Sequence, residues 1–113
     1  MRRFLLLALL VPLSAKAEML VIGQDYEKVV ALCGTRPDAD QLMDAIKVGR
    51  SAAMAVIADP ASTCSVGQYS FHVREEVTSV EAQGFRFVLY GVNPPDTTEN
   101  AAFVVVGVKE TES

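Results

Sequence analysis

The chain has 113 residues, half of them hydrophobic and 21% charged, and ten basic against fourteen acidic side chains leave a formal net charge of −4. A chain of this length holds one small domain, and its acidity argues against nucleic acid or an anionic membrane surface as partner, since both are met by a cationic face. A domain this small buries only about 60–65% of its unfolded surface and is marginal without a covalent or metal staple.

The first element is a targeting signal. Met1-Arg2-Arg3 is a short basic start, residues 4–13 are apolar apart from Pro12, and Ser14-Ala15-Lys16-Ala17 ends in an A-x-A pattern, the composition of a cleavable secretory signal. The apolar run is about half the roughly 20 residues that a spanning helix needs, and no later segment replaces it. No cysteine follows the expected cleavage site to carry a lipid anchor. The expectation is that residues 1–17 are removed and residues 18–113 form a single exported domain, periplasmic or extracellular. Cleavage takes Arg2, Arg3 and Lys16, leaving seven basic residues against fourteen acidic ones.

In "DYEKVVALCG", residues 25–34, the order Tyr26, Val29, Val30 and Cys33 has helical spacing with Asp25 and Gly34 as ends, while the two valines favour a strand. The spacing predicts a helix over 25–33. Ala39, Leu42, Met43 and Ile46 then recur at i, i+3, i+4 and i+7 with Asp38, Asp40, Asp44 and Lys47 on the other side, which predicts an amphipathic helix. Asp38 with Gln41 is the expected capping box and Gly49 the expected stop. Residues 51–58, opened by Ser51 and halted by Asp59-Pro60, predict a second, alanine-rich helix.

Beyond Cys64 the period changes to two, with Tyr69, Phe71 and Val73 alternating with Ser70, His72 and Arg74. After a Gln83-Gly84 turn, "FRFVLYGV" predicts a strand. A loop from Asn93 to Asn100 carries Pro94-Pro95, and "AAFVVVGV" predicts another strand. Helices followed by strands predict an α+β fold, with N-terminal helical segments on one face of a small antiparallel β-sheet; a small five-stranded barrel with a helical cap is the alternative.

Cys33 and Cys64 are the only cysteines, and in an exported chain they predict one structural disulfide. Their separation lacks CxxC spacing, and no second histidine or further cysteine completes a zinc site.

The strand segments are apolar on both faces: Phe85, Phe87 and Leu89 alternate with Val88, Tyr90 and Val92. Two short helices cover one face only. The other is expected to close on itself as a barrel, to lie under the N-terminal "EMLVIG", or to meet another protein through Val88, Tyr90 and Val92, with internal closure favoured.

His72 is the sole histidine, so any Ser-His or Cys-His mechanism has to use it. The strand reading puts it on a polar face with Arg74 and Glu76, and no G-x-S-x-G elbow supplies a nucleophile. Glu75 and Glu76 are adjacent, so on a strand they point to opposite faces and cannot share an acid–base site. Glu75 falls on the face of Tyr69, Phe71, Val73 and Val77, which calls for a bulge, a wet edge or a buried carboxylate. Asp38, Asp40 and Asp44 do not form a calcium loop, because Leu42 and Met43 stand where that pattern needs an oxygen ligand and a glycine. No phosphate loop, dinucleotide fingerprint or haem motif occurs, and no cofactor is expected.

Three functions fit these residues. The leading one is a non-enzymatic protein-binding or accessory module, its partner an envelope or secreted protein or a second copy of the chain. The others are a small-ligand carrier with an apolar cavity lined by Tyr69, Phe71, Phe87 and Leu89, and a small hydrolase using His72 with Glu76 or Asp25.

Overall fold

The computed structural model describes residues 19–94 and 101–109, so the expected signal segment 1–17 and the loop positions from Pro95 to Asn100 lie outside the described residues. The elements in chain order are β1 (Asp25–Cys33), α1 (Arg36–Val48), α2 (Arg50–Ala58), β2 (Ser65–Ala82), β3 (Phe85–Asn93) and β4 (Ala102–Lys109). Two helices and a four-stranded antiparallel sheet make the fold mixed α+β with strands dominating. The helices lie between β1 and β2 rather than ahead of the sheet, and the sheet closes into a barrel of four strands, not five, in the order β1-β2-β3-β4.

Residues 25–33 are a strand, which corrects the helix expected there. The strand wins because its alternation satisfies two neighbours. β1 pairs with β2 from Asp25–His72 to Leu32–Ser65, and Ala31, Leu32 and Cys33 bridge to β4 and close the barrel. Val30 is buried inside while Val29, which the helical reading would have buried, is 67% exposed.

β2 is 18 residues long and serves two ladders, β1 with its first half and β3 with its second. Its register against β3 shifts between Val73 and Glu75 and again between Glu76 and Thr78. Each shift adds one residue to β2 and sharpens its bend and twist, as closing so few strands requires. The turn to β3 has two residues, Gln83 and Gly84, at φ 51° and 80°, the positive values of the hairpin turn whose twist matches its flanking strands.

α1 begins one turn earlier than its acidic residues suggest. Thr35, not Asp38, is the N-cap: its hydroxyl accepts from the Asp38 N–H, and Pro37 sits in the first turn, where a missing N–H leaves no bond unmade. Gly49 ends α1 as expected and also starts α2, so Ser51 does not cap the second helix. Ala39, Leu42, Met43 and Ile46 are all buried, as their spacing predicts.

Two cores result. Inside the barrel Phe71, Val73, Val88, Tyr90, Val92 and Val104 pack together, and Leu20 caps them. Leu20 donates its N–H to the Tyr90 hydroxyl at 3.2 Å, Val21 donates to the Tyr26 hydroxyl at 2.8 Å, and Gly23 donates to the Val73 carbonyl at 2.8 Å. Internal closure and the N-terminal segment therefore share the covering of this face. Outside the barrel, α1 packs Leu42, Met43 and Ile46 onto Leu89, Val105 and the disulfide.

The Cys33–Cys64 disulfide is formed, both residues at most 4% exposed, and extends the β1–β2 ladder by one rung. A polar clamp lies beside it. Thr63 donates its hydroxyl to Asp38 Oδ2 at 2.6 Å and its N–H to the same oxygen at 2.9 Å, while accepting from the Gly34 N–H at 3.0 Å. The hydroxyl bond and then the backbone bond from Thr63 hold the Asp38 carboxyl below its ordinary value of 3.8. A lowered folded-state pKa contributes stability that is present above the unfolded value and is lost as pH falls through the folded one. Asp38→Asn should therefore lower the urea midpoint at neutral pH, and the gap from the parent should close below pH 3.8. A gap that persists unchanged into acid would show that the carboxylate charge is not what the clamp uses.

Candidate functional site

α2 is built from "RSAAMAVIA", and none of its residues is fully buried. Nine residues make a helix too short to stand alone, so it is held by packing along one side. Ala53, Val56 and Ile57 lie half-buried against the outer core, while Met54 stays 52% exposed. The helix stands off the sheet there, and a groove opens between them.

This groove has a volume of about 640 Å³, within the roughly 300–1,000 Å³ of small-molecule sites. Leu42 and Ile46 of α1, Ala53, Met54 and Ile57 of α2, and Phe85, Phe87 and Val105 of the sheet supply its walls. Phe85 and Phe87 stack obliquely with centroids 5.9 Å apart. Phe87 pairs with Gly107, and a Cβ added to Gly107 would lie 2.9 Å from the Phe87 ring. The glycine thus lets the ring lie close over β4. Among the described residues, Arg50 and Gln83 are the polar side chains of the lining and no acidic one belongs to it.

The residues expected from sequence to make a cavity separate. Phe87 lines the groove; Phe71 is inside the barrel, Tyr69 packs against that interior, and Leu89 is fully buried beneath α1. Val88, Tyr90 and Val92, the expected partner face, are 0%, 1% and 1% exposed and belong to the barrel interior, so they form no surface for a partner. Burial raises the Tyr90 hydroxyl pKa above its ordinary value of 10.0, since a phenolate there would lose its hydration.

His72 and Asp25 pair across β1 and β2, Nδ1 to Oδ1 at 2.6 Å, on the exposed outer face. Among the described residues no serine, threonine or cysteine side chain bonds to the imidazole. Glu75 resolves as a bulge: the register shift after Val73 resets the alternation, turning its side chain outward and 60% exposed, 3.9 Å from the Arg74 guanidinium. Glu76, opposite Tyr90, is exposed as well and lies apart from Glu75. The described residues hold no group of three or more His, Cys, Asp or Glu side chains placed to bind a metal.

The sequence carried a signal for the groove that the alternation argument passed over. Arg50, Ala53, Met54 and Ile57 recur at i, i+3, i+4 and i+7, a face whose small and flexible side chains leave room instead of filling it.

No protein-family model matches the chain, and neither a curated protein nor a solved structure gives a significant match to it. Among the described residues no helix is long and apolar enough to cross a membrane.

Proposed function

We propose that the protein is an exported, non-catalytic binding module whose ligand seat is the groove between the helical pair and the outer face of the sheet. The observation that carries this reading is the groove itself, about 640 Å³ of open space walled by aliphatic and aromatic side chains. An apolar face left open to water on a small domain is costly unless something occupies it. Export of residues 18–113 after loss of 1–17, to the periplasm or the cell exterior, is supported by the basic, apolar and A-x-A order of the first residues. The disulfide is consistent with an oxidising compartment.

The groove predicts that the neutral fluorescent probe 1-N-phenylnaphthylamine binds the exported protein saturably. Ala53→Phe places a ring in the groove from a half-buried position and should weaken that binding by about tenfold, the effect of about 1.4 kcal/mol, while leaving the melting temperature within a few degrees. An Ala53→Phe protein that binds the probe as the parent does would remove the groove from consideration.

A second reading, docking of an exported protein or of a second copy, has its own observation. Val66 pairs opposite the groove residue Ala31, and Val29 shares Ala31's face two residues along. These valines are 53% and 67% exposed, so an apolar strip continues from the groove along the outer face of β1 and β2.

A further inference from the structure

The ligand's chemical class follows from the charge of the groove, on the premise that the groove is the binding site. The chain carries more acid than base, yet among the described residues the one charged side chain lining the groove is a cation, Arg50. Among the described residues that guanidinium forms no ion pair, so no carboxylate of the chain takes up its donors there. Arg50 opens α2, and the apolar side chains Ala53, Met54 and Ile57 continue from it along the groove.

We infer that the groove takes a single-chain amphiphile with one anionic head, the head paired with Arg50 and the chain laid over Met54, Ile57, Phe85 and Phe87. A guanidinium suits a carboxylate or phosphate because its planar donors bond two oxygens at once. A neutral chain would leave it without that gain, and a cationic one would be repelled by it. The acidity of the whole chain opposes an anionic bilayer, which presents many charges at once; one head group entering the groove meets the local cation instead.

The test is isothermal titration calorimetry, below each critical micelle concentration, with dodecanoate, dodecyl phosphate, dodecanol and dodecyltrimethylammonium. A charge-assisted bond of about 1.5–3 kcal/mol sets the expected preference for the two anions at tenfold or more over the alcohol, with the ammonium weakest. Comparing the two anions tells a carboxylate source from a phosphate one. Arg50→Gln, at an exposed position, should erase the preference, bringing both anions down to the affinity of dodecanol. Equal binding of dodecanoate and dodecanol, or a preference that survives Arg50→Gln, overturns this inference while the groove stands. Failure of all four to bind overturns the inference and the groove together.

Discussion

Replacing Cys33 and Cys64 together with alanine lowers the melting temperature by about 15–30 °C, because closing their loop removes about 3.5–4 kcal/mol of unfolded-state freedom and each kcal/mol moves a small domain by about 4–8 °C. The loop spans 31 positions and contains both helices. Those helices depend on it for more than entropy. α2 has no fully buried residue, and α1 reaches the barrel through a core in which the two sulfurs are themselves packed against Leu42, Met43 and Leu89. Opening the disulfide loosens the floor on which α1 rests and with it the walls of the groove. Calorimetry of the double variant measures the stability, and probe binding on the folded fraction measures the groove. A shift below about 5 °C would mean that the Thr63–Asp38 clamp and the β1–β2 ladder already hold the two ends together.

The parts of the fold legible in the sequence are those fixed by neighbours in the chain. The buried face of α1, the stop at Gly49, the Gln83-Gly84 turn and the pairing of the only two cysteines each follow from residues a few positions apart or from a count. β1 was not legible, because Tyr26, Val29, Val30 and Cys33 have helical spacing while the two β-branched valines favour a strand. What decides is the pair of neighbouring strands, β2 and β4, that take up its backbone bonds. Glu75 was legible as an anomaly and not as an answer: alternation put it with Phe71 and Val73, and only the β3 register reveals the inserted residue. The groove was the least legible feature. Its walls come from β1, both helices and both strands of the β3–β4 ladder, and a gap left by small side chains has no periodicity of its own. The surplus of apolar strand residues leaves internal closure, cover by the N-terminal segment and a partner surface open in the sequence, with closure favoured. The four-stranded closure turns Val88, Tyr90 and Val92 inward, and the open apolar surface lies on the opposite side of the same strands.

That inversion leads to the other large effect. Val92→Asp abolishes cooperative folding at neutral pH, whereas Val66→Asp changes stability by no more than about 0.5 kcal/mol. Val92 is 1% exposed, pairs opposite Val73 and Ala102, and lies in a cluster with Phe71, Val88, Tyr90 and Val104. A carboxylate there has no cationic partner in that cluster, and an unpaired charge at such a site costs more than a marginal domain has to spare. Protonation removes much of that penalty, so some ordered structure should return on mild acidification, before the native carboxylates are titrated. Val66 is 53% exposed on the outer face of β2, where a carboxylate stays hydrated. Near-ultraviolet circular dichroism across pH distinguishes the two variants, and a Val92→Asp protein as well packed as its parent at neutral pH would place the core elsewhere. The same pair separates the two binding modes. If an exported protein or a second copy docks on the outer strip, Val66→Asp disrupts the complex in light scattering and leaves the dodecanoate affinity of the groove as it was. Loss of partner binding in Val92→Asp alone reports only that the barrel has come apart.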